Sequence, residues 1–358
     1  MTINTEPVTV IGGVDTHKHT HYAAVIDTQG RLIGHHEFPA TAPGYAALRG
    51  WMRGLGEVTS IGVESTGSFG AALARELTRA GERVVEVNRP NRLARRMDGK
   101  SDRLDAEQIA RAVLGETSTA IPKSKSGVIE VIRTLRVTRS SAVKARSQAF
   151  NTLFGVMIGA PSQLRDELVD LTKRTLVNRC LRLRPETDNL LSLAAEPERM
   201  HLAATKLSLR DLARRWKTLD EEIKQLSAQI AVLVTATAPD LVSLHGVGTE
   251  LAGQFLVTVG DNTDRIRSEG AFAKLCGVAP QPASSGRTSS RHRLSRSGDR
   301  AANSALYIIA IVRMRRHEPT RAYVERRTAE GLSKREIIRC LKRFIAREIY
   351  ANLPQIVT

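Results

Sequence analysis

Cysteine and aromatic residues are scarce in this chain of 358 residues. The three cysteines, Cys180, Cys276 and Cys340, lie far apart and form no Cys-x-x-Cys pair. Such spacing argues against a zinc ribbon and against a secreted disulfide scaffold, and it fits a reducing compartment. Aromatic residues make up 4% of the chain, so a protein that binds single strands by base stacking is not the first expectation.

Long hydrophobic runs are absent as well. The mean hydropathy is −0.22, and no apolar run in the sequence approaches the ~20 residues that a membrane span needs. The first residues lack the basic and apolar regions of a signal peptide. We therefore expect a cytoplasmic protein with no membrane partner.

Acidic residues are outnumbered by basic ones, 37 to 54, which gives a formal net charge of +17. A charge of this size favours a polyanionic partner, most simply nucleic acid. A basic protein without such a partner is the alternative. The hydrophobic fraction of 41% excludes a disordered basic tail, and the length allows two or three domains.

Strand and helix patterns alternate in the first part of the chain. Three strands, a helix, a strand, a helix and a strand are predicted at residues 8–14, 22–26, 31–38, 43–55, 60–63, 68–80 and 83–87. Three strands followed by strand–helix–strand is the element order of a ribonuclease-H-like fold, although other α/β folds share parts of it. We therefore predict an α/β domain over residues 1–125.

Strand patterns stop near residue 126, and a helical middle region is predicted over residues 126–238. Eight apolar residues in its second half recur at alternating spacings of three and four, which is the a/d pattern of a coiled coil. They are Leu209, Leu212, Trp216, Leu219, Ile223, Leu226, Ile230 and Leu233. The partner of this seam is either the preceding helix or another subunit, and the second case predicts a homodimer or homotetramer.

Residues 239–358 form a third, mainly helical region. Its last helix begins at the capping box Ser333-x-x-Glu336. One face of this helix is apolar, with Ile338, Leu341, Ile345 and Ile349, and the other face is basic. Near the beginning of the region, Gly246-Val247-Gly248 resembles the turn of a helix-hairpin-helix motif, whose backbone N–H groups face a phosphate. A plain connection between two helices is the alternative.

Four carboxylates lie where the predicted fold brings them together. Asp15 directly follows the first strand and Glu64 the fourth, and these strands are neighbours in a ribonuclease-H-like sheet. Asp102 and Asp105 share one face at the start of a predicted helix, where favourable interaction with the helix dipole is the purely structural alternative. Converging carboxylates repel unless a cation neutralises them, and oxygen ligands suit Mg²⁺ or Mn²⁺. Two such ions ~4 Å apart can promote phosphodiester transfer.

Histidines also cluster near the first strand. His17, His19 and His21 alternate along the chain, which is compatible with a transition-metal site. Alternation at a strand start equally produces a single polar face, and no cysteine completes a ligand set. We favour the structural interpretation.

A serine- and arginine-rich segment follows a Pro/Gly-delimited loop. Ser284 and Ser285 precede Gly286 and the five arginines Arg287, Arg291, Arg293, Arg296 and Arg300. This composition predicts an anion-binding loop. A serine beside guanidinium groups can attack a phosphodiester, because these groups stabilise the developing charge, but Ser-Ser-Gly is also ordinary loop sequence. Further candidate nucleic-acid contacts are Lys18, Lys100, Arg133, Arg136, Gly246 and Gly248.

Seven segments, taken in order and spacing, carry a resemblance over nearly the whole chain. They are Gly13-Val14-Asp15-x-His17-Lys18, Glu64-Ser65-Thr66-Gly67, Lys100-Ser101-Asp102-x-x-Asp105-Ala106, Gly246-Val247-Gly248, residues 272–280, Ser285-Gly286 and Ser297-Gly298-Asp299. The chain resembles the DEDD transposases of bacterial insertion sequences, usually called the IS110 family, which are relatives of the Piv DNA invertase.

The resemblance implies a RuvC-like first domain and a specific chemistry. Asp15, Glu64, Asp102 and Asp105 match the Mg²⁺-binding tetrad position by position, and Ser285 matches the nucleophile, with Ser284 as an ambiguous neighbour. It implies transposition of an insertion sequence through a covalent phosphoserine link to DNA. The tetrad of one subunit would meet the serine of another.

The resemblance also implies partners. Family members resemble recombinases in which a structured RNA bridges donor and target DNA, and the helical middle is the dimerisation coiled coil. Such a protein acts on the nucleoid of a bacterium. One departure is that family members often carry Leu-Arg where this chain has Ala302-Asn303. A phosphate contact from that arginine is therefore not expected here, and Arg296 and Arg300 are the candidates to replace it.

Three other functions remain open at this stage. The first is a RuvC-like nuclease of the junction-resolvase type, which hydrolyses DNA with the tetrad and needs no serine. The second is a sugar-kinase-like or actin-like ATPase, which needs a second lobe of the same α/β type that the helical, arginine-rich second half does not predict. The third is a regulatory nucleic-acid-binding protein, which the presence of all four acids argues against.

Overall fold

The computed structural model describes residues 8–88, 101–187, 189–282, 292–294 and 298–354, and it divides into two compact units. One unit contains the chain up to Gly127 together with Val259–Ala271, and the other contains Val128–Thr258 and Phe272–Pro354. The short segment Val259–Ala271 therefore joins the first unit from far along the chain. The predicted division into three regions remains a prediction.

A five-stranded sheet forms the centre of the first unit. Its strands are β1 (Thr9–Thr16), β2 (Thr20–Asp27), β3 (Leu32–Pro39), β4 (Glu57–Glu64) and β5 (Val84–Val87), in the spatial order β3-β2-β1-β4-β5. The pairs β1–β2 and β2–β3 are antiparallel, whereas β4 is parallel to both β1 and β5. The prediction that the first and fourth strands are neighbours is confirmed.

Among the described residues, three helices cover the two faces of this sheet. They are α1 (Ala42–Leu55), α2 (Ala71–Arg79) and α3 (Asp102–Leu114). Residues of α1 and α2, among them Leu48 and Leu73, pack with Val10 and Val14 of β1, whereas Ala110 of α3 packs with Ile11 on the opposite face. Because side chains alternate along a strand, the odd-numbered residues of β1 face α3.

The second unit is mainly helical, as the sequence predicts. The remaining described α-helices lie wholly or partly in this unit. They are α4 (Gly127–Ile158), α5 (Ser162–Leu168), α6 (Lys173–Leu181), α7 (Pro197–Thr237), α8 (Pro239–Ser243), α9 (Thr249–Val259), α10 (Glu269–Leu275), α11 (Arg300–Arg316), α12 (Glu318–Ala329) and α13 (Lys334–Ala351). Two strands that the sequence analysis did not predict, β6 (Pro280–Pro282) and β7 (His292–Leu294), form an antiparallel pair. No described helix is both long enough and apolar enough to traverse a lipid bilayer.

The two long helices α4 and α7 pack side by side. Arg139 Nε of α4 donates to Ser227 Oγ of α7 at 2.7 Å. Arg146, seven residues later in α4, pairs with Asp220, which lies seven residues before Ser227 in α7. The two helices are therefore antiparallel. A shared apolar cluster contains Leu153 and Met157 of α4 with Leu209 and Ala213 of α7. Leu209, Leu212 and Trp216 of the predicted seam thus pack within one chain, against α4 and the short helices that follow it. A coiled coil and dimerisation through these helices remain predictions.

The predicted capping box at the start of α13 is confirmed. The Ser333 hydroxyl accepts a hydrogen bond from the Glu336 backbone N–H at 3.4 Å, and the Glu336 carboxylate accepts one from the Ser333 backbone N–H at 2.9 Å. The buried apolar face contains Leu341, Ile345 and Ile349 as predicted, but Ile337 rather than Ile338. The difference of one residue reflects the angle at which the helix faces the core.

Candidate functional site

The ends of β1 and β4 place two carboxylates side by side. Val14 pairs with Val63 in parallel register, so Asp15 and Glu64 follow at the same level on neighbouring strands. Because adjacent residues of paired strands point the same way, both side chains lie on the face that α3 covers. The Asp15 side chain forms a hydrogen bond with that of Glu64. Asp15 is 7% exposed.

The start of α3 supplies the other two acids. The Ser101 hydroxyl caps the helix by accepting a hydrogen bond from the Leu104 backbone N–H at 3.3 Å, which fixes the first turn. Asp105 is 2% exposed, whereas the Asp102 side chain is 51% exposed. Gly13 allows this arrangement, because α3 packs so closely on β1 that any side chain at Gly13 would meet its backbone.

The four carboxylates influence one another through Asp15. Burial is the largest factor that raises the pKa of Asp15, and repulsion from Asp105 and Asp102 raises it further. His17 and the hydrogen bond with Glu64 act in the opposite direction and lower this pKa. A raised pKa means that the ionised carboxylate is disfavoured by its surroundings, and a bound cation would favour it. The predicted convergence of these residues is therefore present in the fold.

His17 joins this cluster, although the sequence analysis did not assign it a role there. Its Nε2 atom lies 3.9 Å from Asp15 Oδ2 and 3.9 Å from Asp102 Oδ1. The ligand atoms of Asp15, His17 and Asp102 all lie within 4.8 Å of one another. The available signal was the position of His17, two residues after Asp15 at the same strand end.

The other two histidines of the alternating set serve elsewhere. His21 is fully buried and stacks on Tyr45, with ring centroids 5.5 Å apart, and burial lowers its pKa. His19 is exposed. His21 is therefore buried rather than part of the single polar face that the sequence analysis favoured, and of the three histidines it is His17 that approaches the carboxylates.

The turn after β4 fixes the position of Glu64. Thr16 Oγ1 donates to the backbone carbonyl oxygen of Glu64 at 3.1 Å. Ser65 has a positive φ of 52°, and its carbonyl oxygen accepts hydrogen bonds from the backbone N–H groups of Ser68 at 2.8 Å and Gly70 at 3.1 Å. These contacts hold the end of β4 in a tight turn before α2 begins.

The donor set fits a divalent cation. Asp15, Glu64, Asp102 and Asp105 offer carboxylate oxygens, which are the preferred ligands of hard divalent ions, and His17 adds a nitrogen. The mutual repulsion around Asp15 supplies the physical reason for a cation at this point.

Comparison with known proteins decides the family. A family model for DEDD transposases of the IS110 type, described as a transposase, matches residues 12–159. A second model, described as the transposase IS116/IS110/IS902 family, matches residues 238–325. The chain belongs to the IS110 family of transposases. The resemblance drawn from the sequence motifs is thus confirmed.

Three relatives are proteins of bacterial insertion elements. An uncharacterized 44.8 kDa protein of insertion element IS116 from Streptomyces clavuligerus is 26% identical over 92% of this chain and 91% of its own length. A 42 kDa protein of IS900 from Mycobacterium paratuberculosis is 27% identical over 96% of this chain and 95% of its own length. A 43.6 kDa protein of IS110 from Streptomyces coelicolor is 31% identical over 40% of this chain and 35% of its own length.

Several predicted contacts of the transposase with nucleic acid, and its predicted nucleophile, lie outside the described residues. These are Lys100, Ser284, Ser285, Arg287, Arg291 and Arg296, together with the side chain of Arg293. Lys18, beside His17 in sequence, is exposed, and so is Arg300 in the first turn of α11.

Arg133 and Arg136 of α4 both have partners within the second unit. Arg133 pairs with Glu130 at 2.5 Å. Arg136 donates to the backbone carbonyl oxygen of Glu250 at 2.6 Å and to Gln254 Oε1 at 2.9 Å, and burial lowers its pKa. Their contact with nucleic acid remains a prediction, although Arg136 already has internal partners.

The predicted Gly246-Val247-Gly248 turn lies between α8 and α9, as expected. Gly246 has a φ of 80°, which favours glycine. A side chain there would face Val312 of α11 at 3.3 Å. The role of Gly246 and Gly248 in phosphate binding remains a prediction.

A hydrogen-bonded clasp joins the two ends of the serine-bearing segment. Asn303 Nδ2 donates to the carbonyl oxygens of Cys276 at 2.9 Å and Gly277 at 3.0 Å. The ammonium group of Lys342, a buried residue, donates to Asn303 Oδ1 at 2.7 Å. Asn303 is the position where family members often carry arginine, and in this transposase it ties the chain before the segment to the helix after it.

Proposed function

We propose that this transposase breaks and rejoins DNA by metal-dependent strand transfer at Asp15, Glu64, Asp102 and Asp105. The observation that carries the proposal is the convergence of these carboxylates around the buried Asp15. The strand order β3-β2-β1-β4-β5, with β1 beside the parallel β4, supports assignment to the RuvC and ribonuclease-H type of fold. A catalytic site at the carboxyl ends of such strands follows a general rule for α/β sheets.

The four acids would hold one or two divalent ions, Mg²⁺ or Mn²⁺. When bound, such ions activate the nucleophile and stabilise the leaving oxygen of the phosphodiester. Asp15 and Asp105 are buried and lie on rigid elements, so they would orient the site, whereas the more exposed Asp102 borders solvent. His17, with Nε2 at 3.9 Å from both Asp15 Oδ2 and Asp102 Oδ1, would add a nitrogen ligand to the ion.

Ser285 is the proposed nucleophile. Its Oγ would form a bond to phosphorus while the bond from phosphorus to the leaving deoxyribose oxygen breaks. The serine hydroxyl loses its proton, and the leaving oxygen gains one. In the second step, a hydroxyl of another DNA end attacks the phosphoserine and restores a phosphodiester, which releases the serine. Support comes from the family and from the arginines that surround Ser285 in sequence.

The partners of the proposed reaction are donor and target DNA, a structured guide RNA and further copies of the chain. The net charge of +17 supports binding to polyanions. The long antiparallel pair α4 and α7 would provide the dimerisation surface, which brings the carboxylates of one subunit to the serine of another. We expect this reaction to take place in the bacterial cytoplasm, at the nucleoid.

A denaturing gel tests the proposed chemistry. Wild type, Ser285→Ala, Ser284→Ala and Asp102→Asn are each incubated with labelled junction DNA, Mg²⁺ and RNA transcribed from the flanks of the element. We expect a covalent protein–DNA adduct for wild type and Ser284→Ala, and none for Ser285→Ala or Asp102→Asn. Because Asp102 is half exposed, its substitution should leave the fold intact.

A hydrolytic nuclease of the junction-resolvase type is the second candidate. The observation that favours it is that all four carboxylates belong to the first unit, whereas the segment with Ser285 belongs to the second. In that case the same gel would contain cleaved DNA without an adduct, lost in Asp102→Asn and kept in Ser285→Ala. Strand exchange by Ser285→Ala would exclude Ser285 as nucleophile.

A further inference from the structure

The first unit has a second concave surface, whose lining includes none of the four carboxylates. This cleft has a volume of about 550 Å³ and lies where α2, β5 and the segments around 119–126 and 262–267 meet. Arg265 anchors the last segment, because its guanidinium group donates to the carbonyl oxygens of Ile121 at 3.0 Å and Val259 at 2.9 Å. The cleft therefore exists only because residues from far along the chain join the first unit.

The lining of the cleft is strongly basic. Its charged residues are Arg75, Arg79, Arg83, Lys123 and Arg267, with one carboxylate, Glu82. Glu82 is neutralised from behind by α1, since its carboxylate accepts hydrogen bonds from Arg49 Nε at 2.6 Å and Arg53 Nη2 lies 2.8 Å away. The Glu82 side chain is 5% exposed. It therefore contributes little negative charge to the cleft.

Two of the cations are available to a ligand. Arg83 and Arg267 are exposed, and neither forms an ion pair with any carboxylate in the part of the chain that the structure describes. Arg75 donates to the neutral backbone carbonyl of Lys125 at 3.3 Å, which leaves its charge uncompensated. Cations grouped around a concave surface create a strong positive potential, and an anion there would relieve their repulsion.

An uncharged donor adds to this pattern. The Ser124 hydroxyl is buried and has no hydrogen-bond partner among the described residues, while its backbone N–H donates to Asn262 Oδ1 at 3.2 Å. A buried hydroxyl without a partner is unfavourable, and an oxyanion is an acceptor that satisfies it. Guanidinium groups and hydroxyls together are the donors that proteins use for phosphate.

A structural explanation accounts for Arg79 but not for Arg83 or Arg267. Arg79 lies in the last turn of α2 and pairs with Glu76 at 2.8 Å, as a cation near the carboxyl end of a helix dipole is expected to do. Arg83 directly precedes β5, and Arg267 comes from a distant segment. Neither belongs to that helix end.

We propose that this cleft binds the phosphodiester backbone of a nucleic-acid strand. The inference rests on the proposed action on DNA, and it adds a second contact to the carboxylate cluster. The cleft borders Val84 at the start of β5, and Glu64 is level with Val87 on the neighbouring strand. Three residues of strand separate the two levels, which is roughly 10 Å. A strand held in the cleft would therefore be close enough to be positioned for the carboxylates.

Salt-dependent binding tests the proposal with the full chain. The variant Arg83→Gln/Arg267→Gln is compared with wild type in chelator, using labelled single-stranded DNA, duplex DNA and RNA of one sequence. Loss of two phosphate contacts should reduce the slope of log affinity against log salt by about 1.4 for a single strand and about 1.8 for duplex. If wild type and variant bind a single strand equally at 1 M salt, a slope difference of about 1.4 makes the affinity of the variant about 25-fold lower at 0.1 M salt, one decade below.

A matched control removes the same charge elsewhere. Arg174→Gln/Arg184→Gln changes two exposed arginines of the second unit, and we expect it to keep the wild-type slope. A change confined to DNA or to RNA assigns the cleft to that strand, and a change with both supports the shared backbone. An unchanged slope in the cleft variant, or an equal change in the control, would overturn the proposal.

The binding assay is independent of the proposed reaction. It is carried out without divalent ions and reports affinity alone, whereas the strand-transfer proposal is tested by adduct formation. Normal cleft binding without any adduct would contradict the proposed function and leave the cleft proposal standing. Conversely, if the wild type forms an adduct while the cleft variant keeps the wild-type affinity and salt slope, the cleft proposal is wrong and the proposed function stands.

Discussion

Gly13 of β1 lies directly against the backbone of Ala106 in α3. A Cβ atom built at Gly13 would come within 2.2 Å of the Ala106 carbonyl oxygen and 2.4 Å of the Ala110 nitrogen. The first turn of α3 carries Asp102 and Asp105. The absence of a side chain at Gly13 is thus what lets two of the four carboxylates reach Asp15.

Gly13→Ala should therefore destabilise the fold and weaken metal binding together. Backbone atoms cannot yield as a flexible side chain does, so α3 must shift, at a cost of about 1–3 kcal/mol or more. Urea unfolding and titration with Mn²⁺ measure the two effects. Gly50→Ala is the matched control, because nothing lies within 4 Å of a Cβ built there, and alanine should stabilise helix α1 by up to about 1 kcal/mol. Normal Mn²⁺ affinity in Gly13→Ala would contradict this account.

Asp15→Asn should raise thermal stability in chelator and abolish stabilisation by metal. The pKa of Asp15 is raised above its ordinary value of 3.8, first by burial. Because the folded state holds the Asp15 proton more tightly than the unfolded state, Asp15 stabilises the fold fully below pH 3.8. This stabilisation is lost as the pH rises through the raised pKa. At neutral pH the amide removes an unfavourable charge. For each kcal/mol relieved, Tm should rise by roughly 2–4 °C.

Asp27→Asn provides the opposite case. The pKa of Asp27 is lowered, mainly by the hydrogen bond from the Arg31 backbone N–H, so its contribution is present above the ordinary pKa and is lost as the pH falls through the lowered one. We expect a lower Tm at neutral pH and an unchanged shift with Mn²⁺. Thermal scans of both variants between pH 3 and 8, with chelator or with Mn²⁺, measure these changes. A lower Tm of Asp15→Asn at neutral pH, or a higher Tm of Asp27→Asn, would contradict the respective prediction.

His17→Ala should weaken Mn²⁺ binding about tenfold and Mg²⁺ binding less. Imidazole suits transition metals, whereas Mg²⁺ prefers oxygen ligands. The estimate of tenfold corresponds to about 1.4 kcal/mol. Isothermal titration calorimetry gives both affinities, and His19→Ala is the control, since His19 is exposed and lies two residues away. Equal losses for both ions, or for both variants, would argue against a ligand role for His17.

Asn303→Ala should destabilise the second unit by about 1–3 kcal/mol. The substitution leaves the Cys276 and Gly277 carbonyl oxygens without their donor and removes the acceptor of the buried Lys342. Urea unfolding measures the loss, and hydrogen exchange at residues 276–282 should rise with it. Asn151→Ala, on an exposed position of α4, is expected to change stability by less than about 0.5 kcal/mol. Similar stabilities for the two variants would refute the clasp.

The sequence pointed to the four candidate acids because three of them lie beside a recognisable element boundary. Asp15 and Glu64 close buried apolar runs, and Asp102 follows Ser101, a typical capping residue. These are local signals. The short strands β6 and β7 escaped prediction because three residues carry no usable periodicity. In α13, the buried face begins at Ile337 instead of the predicted Ile338, because packing, and not spacing alone, selects the buried residue.

The amino-acid sequence by itself determined the α/β character of the first unit, the helical character of the second, the family and the four acids. Tertiary structure alone decided which residues complete these sites. His17 meets Asp102 only because Gly13 lets α3 lie on β1. Arg83 and Arg267 share a cleft only because Val259–Ala271 joins the first unit. Such contacts depend on close approach between residues distant in sequence, and no local pattern of side chains encodes that approach.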